Sequence, residues 1–175
     1  LLIMEPLPGF EAVHLMGNHD DFVLRVLTGE DPTLWLMNGG DTTLRSYGID
    51  PLAPAGMGRR DEWLREQLAA RLPDEHLAFL RGLRTMHTEG DYVFVHAGVR
   101  PGVPIAIQEP KDLLWIREPF LNSRADHGKV VVHGHTPSEA PEVRANRIGI
   151  DTGACYGGKL TALVLEGSDR AFLQA

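Results

Sequence analysis

The spacing of apolar residues is helical in the middle of the chain and becomes strand-like after it. Behind an acidic start at Asp61, apolar side chains recur every three or four positions, which is the spacing of one helix face: Trp63, Leu64, Leu68 and Leu72. Pro73 and Asp74 then begin a second helix over EHLAFLRGL. The pattern therefore predicts that the middle third of the chain is mostly helical.

Beyond this helical part, the apolar residues gather in short runs. A turn signal at Glu89-Gly90-Asp91 comes first. Runs of strand length then follow at 92–95, 129–132, 147–150 and 160–165. Helices followed by strands, with no internal repeat and no long linker, favour an α/β layer architecture in one domain over residues 1–175.

The beginning of the chain carries its own local pattern. An apolar run at residues 11–16 stops at Gly17-Asn18-His19-Asp20 and the periodic stretch DFVLRVLTG follows, which predicts a strand, a tight loop and a helix. Two short helices are expected over 31–40 and 41–48, and residues 50–60, rich in Pro, Gly and Ala, predict a loose connector. Because Leu1 is not an initiator Met, we expect the chain to lack its true beginning.

Charge and composition narrow the classes of function. The chain has 24 acidic and 17 basic side chains, a net charge of −7 and a single cysteine. An acidic chain without a Lys/Arg-rich block is unsuited to bind nucleic acid or anionic lipid, and we expect neither as a partner. No apolar run approaches the ~20 residues that cross a bilayer. We therefore expect a cytoplasmic protein that does not enter a membrane.

Three segments share one arrangement, in which an apolar strand stops at a glycine-containing loop that carries His or Asn. The loops are Gly17-Asn18-His19-Asp20, His96-Ala97-Gly98 and His133-Gly134-His135. In α/β sheets the loops at the carboxyl ends of strands converge on one crevice, where ligands bind. Neutral imidazole nitrogen and amide oxygen are suitable ligands for divalent transition ions. The pattern therefore predicts one convergent metal site.

Five motifs in a fixed order give this chain a family resemblance. GNHD, FVHAG, LLWIREP, VVHGHTP and IDTGA resemble the calcineurin-like metallophosphoesterases, and more narrowly the bacterial branch of the phosphoprotein phosphatases that act on Ser and Thr. The resemblance runs from Gly9 to about Leu165. It implies a metallophosphatase β-sandwich flanked by helices (α/β/β/α), here incomplete at the N-terminus. The implied substrate is a phosphorylated protein or a small phosphoester.

The resemblance also implies roles for individual residues. Asn18, His96 and His135 correspond to ligands of one of two divalent ions, His19 to the general acid and Arg117 to a phosphate-binding side chain. The implied reaction uses a metal-bound hydroxide. Manganese is the expected metal, with iron, zinc and cobalt as alternatives. These roles agree with the chemistry, because an alkoxide leaving group needs a proton and a guanidinium can hold two phosphate oxygens.

Other motif residues have less direct interpretations. His133 should point to the other face of its strand from His135 and support the site from there, since side chains alternate along a strand. Asp151 is interpreted as a structural acceptor near the site, and Tyr156 as an aromatic side chain beside it. For Arg117, an alternative is an exposed arginine that pairs with a nearby carboxylate, Glu118 or Asp112.

Two acidic motifs of the family are absent from this sequence. Asp-x-His-Gly and Gly-Asp-x-x-Asp-Arg-Gly would supply the ligands of the first ion, and neither precedes Gly17. Asp74-Glu75-His76 and Gly90-Asp91 imitate their beginnings, but we interpret them as a helix N-terminus and a hairpin turn. We therefore expect this chain alone to have little or no phosphatase activity and to expose a sheet edge.

Three other functions fit parts of the sequence. A dinucleoside polyphosphate hydrolase shares the GNHD and HAG segments, and a non-catalytic metal-binding scaffold could use the same fold. A nucleotide-binding loop is suggested by the seven residues from Gly153 to Lys159, which fit G-x-x-x-x-G-K. Leu160 stands where that loop needs Ser or Thr, and a strand-like stretch follows where a helix should begin, so we reject this alternative.

Overall fold

A computed structural model describes residues 8–53 and 59–175 of the protein. The expectations about Leu1 and about the centre of the 50–60 connector lie outside the described residues. Contacts within the described chain divide it into two compact units. One is formed by the residues up to 14 together with 18–83, and the other by 15–17 together with 84–175. The interpretation of residues 1–175 as one domain stays a prediction.

The first unit is helical. Its helices are α1 (Asn18–Leu27), α2 (Thr33–Trp35), α3 (Asp41–Ser46), α4 (Arg60–Arg71) and α5 (Asp74–Gly82), with a π-helical turn at Leu36–Gly40 between α2 and α3. The apolar stripe predicted on α4 is confirmed at Leu64 and Leu68, which are buried. Asp74-Glu75-His76 opens α5, as expected for a helix N-terminus.

A five-stranded mixed sheet forms the centre of the second unit. Its strands are β1 (Met86–Glu89), β2 (Tyr92–Val95), β3 (Val130–His133), β4 (Glu142–Val143) and β5 (Arg147–Gly149), in the spatial order β1-β2-β3-β5-β4. The three central strands β2, β3 and β5 run parallel, and the edge strands are antiparallel to their neighbours. Val93 and Val95 of β2 and Val131 and Val132 of β3 are buried, as expected for parallel strands.

A separate antiparallel pair, β6 (Thr161–Glu166) and β7 (Asp169–Gln174), follows the central sheet. Helix α6 (Pro110–Trp115) and two short 3-10 turns, Ile105–Ile107 and Ala154–Tyr156, complete the unit. Because a strand, β6, begins at Thr161 where the loop would need a helix, the rejection of a nucleotide-binding loop is confirmed. Gly90 lies in the turn between β1 and β2. Gly90-Asp91, which imitates the second acidic motif, is therefore a hairpin turn, as predicted.

The predicted mixed α/β class is confirmed, but one predicted strand is wrong. Residues 11–16 form no strand, and within them only Leu15 makes a bridge, parallel to Arg84. The Met16 N–H donates to the Arg84 carbonyl at 2.8 Å. One bridge cannot propagate a ladder, which needs neighbouring residues paired in register. Strand β7 was not predicted, because DRAFLQ alternates weakly between polar and apolar positions.

The core of the second unit lies around β2, β3 and α6. Buried residues of this core include Val93, Val95, Leu113, Phe120 and Val131. The α6 carbonyl of Leu113 accepts a hydrogen bond from the Ala97 N–H at 2.8 Å, which ties the loop after β2 to that helix. None of the helices in the described ranges has the length and apolar character needed to cross a membrane.

Candidate functional site

Two neighbouring parallel strands end in the predicted histidines. Strands β2 and β3 pair in register, with Phe94 opposite Val132. His96 follows β2, and His135 follows β3 after Gly134. The Gly134 N–H donates to the His96 carbonyl at 2.9 Å, so the two strand-end loops are joined by a main-chain hydrogen bond. The register of the sheet therefore brings both histidines to one edge, as the sequence predicted.

The two imidazoles meet at this edge. His96 Nε2 and His135 Nδ1 lie 3.1 Å apart, and the rings meet edge to face with their centroids 4.9 Å apart. The edge of His135 also faces the ring of Trp115 at 6.0 Å. His135 has a φ of 64°, the only positive value among the described residues other than glycine. A left-handed non-glycine residue is strained, and such strain is often kept where function requires it.

A cavity of about 360 Å³ opens beside the histidine pair. Its lining includes polar groups from four loops: His96, His135, Asp151, Thr152 and Lys159. Asp151 accepts a hydrogen bond from the Gly153 N–H at 3.0 Å, which fits the structural role predicted for it. Tyr156 is 82% exposed and is not among the lining residues.

His133 is the last residue of β3 and also lines this cavity. It is only 3% exposed, and its ring packs edge to face on Phe120 at 5.0 Å. Burial, the largest cause, lowers the pKa of His133 to about 4. Its Nε2 lies 3.1 Å from Nη1 of Arg147, a buried residue that the sequence analysis did not single out. Alternation does not explain their different neighbours, because residues two apart on a strand share a face. The two rings diverge because β3 ends at His133 and His135 takes a left-handed φ of 64° after Gly134.

Arg117 is placed by the segment that follows α6. Its Nη1 donates to Thr136 Oγ1 at 3.4 Å, and Thr136 directly follows His135. The alternative pairing with a nearby carboxylate is wrong for the described residues. Asp112 is held by Arg100, with Nε to Oδ2 at 2.6 Å, and Glu118 accepts a hydrogen bond from Asn122. Arg117 is therefore an exposed cation beside the His135 loop.

The other two predicted residues belong to the helical unit. Asn18 is the first residue of α1 and is 7% exposed, while His19 is exposed, with the edge of its ring toward Phe22 at 6.0 Å. Near His19 is a second cavity of about 230 Å³, where Tyr47 and His76 share a hydrogen bond of 3.0 Å. The convergence of Asn18 and His19 with the sheet histidines stays a prediction.

Comparison with known proteins gives this geometry a family context. The chain is 33% identical over 153 residues to serine/threonine-protein phosphatase 1 of Salmonella typhimurium, an alignment that covers 83% of this chain and 62% of the relative. The chain is a homologue of the bacterial calcineurin-like phosphoesterases. This phosphoesterase homologue is also 25% identical over 169 residues to the bis(5'-nucleosyl)-tetraphosphatase PrpE of Anoxybacillus flavithermus, covering 87% of the chain and 62% of the relative.

A solved structure supports the same fold. A protein described as a candidate diadenosine tetraphosphatase aligns with a TM-score of 0.59 and 18% identity, over 93% of this chain and 68% of the other. The metallophosphatase-type fold of the homologue is thereby shown. No protein-family model matches the sequence. In both curated relatives above, the alignment reaches 62% of the relative's length, so the homologue spans less than two thirds of each.

The donor atoms of the sheet unit fit a transition ion in kind and spacing. Two nitrogen ligands with bonds of about 2.0–2.1 Å to one ion lie roughly 3 Å from each other. The separation of His96 Nε2 and His135 Nδ1 is 3.1 Å. No group of three or more His, Cys, Asp or Glu side chains suited to a metal occurs within 8–53 and 59–175. Within the sheet unit, the two histidines therefore offer two nitrogen donors at a spacing that suits one ion.

Two residues near this site were missed by sequence reasoning. Arg147 is buried and contacts His133, and Lys159 lines the cavity. A charged residue inside a short apolar strand, as in NRIGI, was the signal for Arg147, because buried arginine is rare without partners. The sequence pattern assigned Lys159 only to the rejected nucleotide-binding loop and not to this site.

Proposed function

We propose that the chain carries the metal-binding and phosphate-handling side chains of a metal-dependent phosphoester hydrolase whose substrate is a protein phosphorylated on Ser or Thr. The observation that carries the proposal is the pair of ring nitrogens, His96 Nε2 and His135 Nδ1, at 3.1 Å on neighbouring strand ends. The 33% identity to a Ser/Thr phosphatase supports the substrate class.

His96, His135 and Asn18 would hold one divalent cation, with manganese the first candidate. Two imidazoles and one amide oxygen are neutral donors that manganese, iron, zinc and cobalt all accept. When bound, such a cation supplies Lewis-acid polarisation of the phosphoryl oxygens. The second ion implied by the family would need the carboxylates of two motifs that this sequence does not contain.

Arg117 binds and orients the phosphate in this proposal. Its guanidinium carries a permanent positive charge and can donate to two phosphate oxygens at once. Its contact with Thr136 Oγ1 at 3.4 Å keeps that charge next to the His135 loop. The contact is long and weak, so the guanidinium can exchange Thr136 for a phosphate oxygen at little cost.

His19 donates the proton in the bond-breaking step. Attack of water on phosphorus breaks the bond between phosphorus and the Ser or Thr oxygen, and the departing oxygen needs a proton as it takes up negative charge. His19 is exposed at the first turn of α1, where its ring can meet a substrate from solvent. Without that proton the alkoxide is a poor leaving group.

A dinucleoside polyphosphate hydrolase is the second candidate. Relatives named bis(5'-nucleosyl)-tetraphosphatase support it. Lys159 also supports it, because this exposed ammonium lines the histidine cavity and could meet a further phosphate of a longer chain. A phosphorylated side chain offers one phosphate only, so Lys159 has more to bind in a polyphosphate.

Metal binding tests the proposal most simply. We expect titration of the chain with Mn²⁺ to show binding that is strongly weakened in His96→Ala and unchanged in the control His87→Ala, a histidine of β1. Absence of Mn²⁺ binding by the unmodified chain would contradict the proposal and favour a scaffold without metal. Turnover of p-nitrophenyl phosphate should be slight, because the two acidic motifs are not in this sequence.

The substrate class needs a second assay. Phosphate released from a phosphoseryl peptide is compared with the nucleotides released from diadenosine tetraphosphate, both with Mn²⁺ and equal amounts of protein. Preferential phosphate release supports the protein phosphatase. Preferential nucleotide release supports the polyphosphate hydrolase, as two ADP from symmetrical cleavage or as ATP and AMP from asymmetrical cleavage. Replacing Arg117 by Met should weaken inorganic phosphate binding by about tenfold, while Arg124→Met, on another exposed part of the unit, should not.

A further inference from the structure

The most unusual buried charge of the protein lies behind the candidate metal loop. Arg147 of β5 is only 1% exposed. Its Nη2 donates to Glu142 Oε2 at 2.6 Å and to the Leu121 carbonyl at 3.1 Å, and its Nη1 faces His133. Its Nε has no hydrogen-bond partner among the described residues. A buried guanidinium that is not fully satisfied is poor for stability, which suggests that another property depends on it.

The contact with Arg147 determines which nitrogen of His133 carries the proton. A guanidinium can only donate, so His133 Nε2, 3.1 Å from Nη1, must accept and cannot bear a hydrogen. A neutral ring then has its hydrogen on Nδ1. That nitrogen lies 3.1 Å from the Gly134 carbonyl oxygen, to which it donates.

Gly134 connects this buried pair to both metal-site histidines. Its N–H donates to the His96 carbonyl at 2.9 Å, and its carbonyl accepts from His133. The carbonyl of Gly134 shares one planar peptide group with the nitrogen of His135. Holding that carbonyl therefore restricts rotation about φ of His135, the torsion that has the strained value of 64°.

A glycine of the sheet provides the space that the His133 ring and the Arg147 guanidinium occupy. Gly149 of β5 is the register partner of His133 on β3. A Cβ at Gly149 would lie 3.3 Å from His133 Nε2 and 3.7 Å from Arg147 Nη1. Glycine at this position lets the guanidinium and the ring approach each other without a side chain between the strands.

We propose that Arg147 and His133 are positioning residues: Arg147 fixes the Nδ1–H form of His133, which holds the Gly134 peptide and so the left-handed conformation that presents His135. The inference rests on the proposed function insofar as His135 binds a metal. Neither residue touches the cation or the substrate in this account. Their effect on metal affinity passes through one peptide group.

The tautomer can be read directly from the chain without metal. In chain labelled with ¹⁵N histidine, at neutral pH, long-range nitrogen–proton spectra should show His133 with a protonated Nδ1 and an unprotonated Nε2. A protonated Nε2, or a doubly protonated ring, would overturn the proposal. This measurement does not depend on metal binding, so it separates failure of this inference from failure of the proposed function.

Replacing the ring tests the link to the metal site. His133→Phe keeps the volume and the packing on Phe120 but removes the donor to Gly134, and we expect Mn²⁺ affinity to fall at least about tenfold. The matched control is His127→Phe, because His127 packs on the same Phe120 ring at 5.9 Å and has no bond to Gly134. Equal Mn²⁺ affinity in His133→Phe and the unmodified chain would overturn the proposal.

A double variant separates positioning from stability. His133→Phe leaves Nη1 of buried Arg147 without an acceptor, whereas His133→Phe with Arg147→Met removes both partners. We expect the double variant to melt at a higher temperature than His133→Phe and still to bind Mn²⁺ as weakly. Recovery of Mn²⁺ affinity along with stability would overturn the proposal, because the Gly134 carbonyl would still have lost its donor.

Discussion

The two units of this protein place their candidate site residues by different means. In the sheet unit, His96 and His135 follow parallel strands whose register fixes them side by side, with 3.1 Å between ring nitrogens. In the helical unit, Asn18 and His19 occupy the first turn of a ten-residue helix, where one side chain is buried and the next is exposed. Main-chain pairing therefore places the candidate residues of the sheet unit, and local helix geometry places those of the helical unit.

This difference has a physical consequence for how firmly each half is held. A strand-end loop joined to its neighbour by the Gly134–His96 hydrogen bond cannot shift without breaking the ladder. The first main-chain N–H groups of a helix have no partner within the helix, so its N-terminus is positioned by contacts outside the helix ladder. Substitutions should therefore act on the sheet half through backbone and packing, and on the helical half through individual side chains.

The largest expected effect is on the glycine of the HAG segment. A Cβ at Gly98, where φ is 155°, would lie 2.2 Å from the buried ring of Phe120. We expect Gly98→Ala to lower the free energy of unfolding by about 3 kcal/mol or more, measured by urea denaturation.

Gly102→Ala is the control for backbone strain alone. Gly102 also has a positive φ, of 79°, but has open space around it, so its replacement should cost about 1 kcal/mol. A loss of stability in Gly98→Ala no greater than in Gly102→Ala would show that Phe120 moves freely, against the rigid sheet half described above.

Next in size are the metal-ligand substitutions, which compare the two halves directly. His135→Ala should weaken Mn²⁺ binding by at least about 100-fold, since even groups that only support a ligand contribute 10- to 100-fold. Asn18→Ala should weaken it about tenfold, because one amide oxygen is a weaker donor than imidazole.

Asn38→Ala, at an exposed position of the same helical unit, is the matched control for Asn18. If Asn18→Ala binds Mn²⁺ like Asn38→Ala, the helical unit contributes no ligand and the predicted convergence is wrong.

A smaller effect should stay within the helical unit. Tyr47 Oη and His76 Nδ1 share a hydrogen bond of 3.0 Å in the cavity next to His19. Tyr47→Phe should reduce stability by about 1 kcal/mol, in thermal denaturation, and leave Mn²⁺ affinity unchanged. A large loss of Mn²⁺ affinity would mean that the metal site depends on the helical unit beyond Asn18.

The smallest effect concerns pH in the sheet unit. Burial lowers the pKa of His127 below its ordinary value, although the neighbouring charge of Asp126 opposes this. The unfolded chain therefore takes up a proton on His127 at a higher pH than the folded chain, and stability falls as pH drops below about 6.5. His127→Phe should make the decline of melting temperature between neutral and acid pH shallower; an unchanged slope would contradict this.

The sequence predicted the sheet half better than the helical half. Short apolar runs ending in glycine and histidine were sufficient to predict β2, β3 and the meeting of His96 with His135, because parallel strands leave few alternatives for their ends. The run at residues 11–16 also ends before a glycine and a histidine but makes a strand bridge only at Leu15. Composition cannot show whether a strand finds a partner, because pairing depends on distant segments.

Arg147 illustrates a second limit. Its place in a short apolar strand gives it a buried position, but the acceptors that surround it come from Glu142, Leu121 and His133. Glu142 is close in the sequence, but Leu121 and His133 are 26 and 14 residues away, so these two contacts follow from the fold rather than from any local pattern. By contrast, neighbouring residues alone were sufficient to reject a nucleotide-binding loop at 153–159. A strand-like stretch follows Lys159 in the sequence, and the structure contains it as β6.

One measurement tests the central claim, that His96 and His135 bind one cation together. Pulsed electron paramagnetic resonance of Mn²⁺ added to the chain labelled with ¹⁵N histidine reports the number of coordinated histidine nitrogens. The account predicts two nitrogen couplings in the unmodified chain and one in each of His96→Ala and His135→Ala. Bound Mn²⁺ without any histidine nitrogen coupling would contradict it.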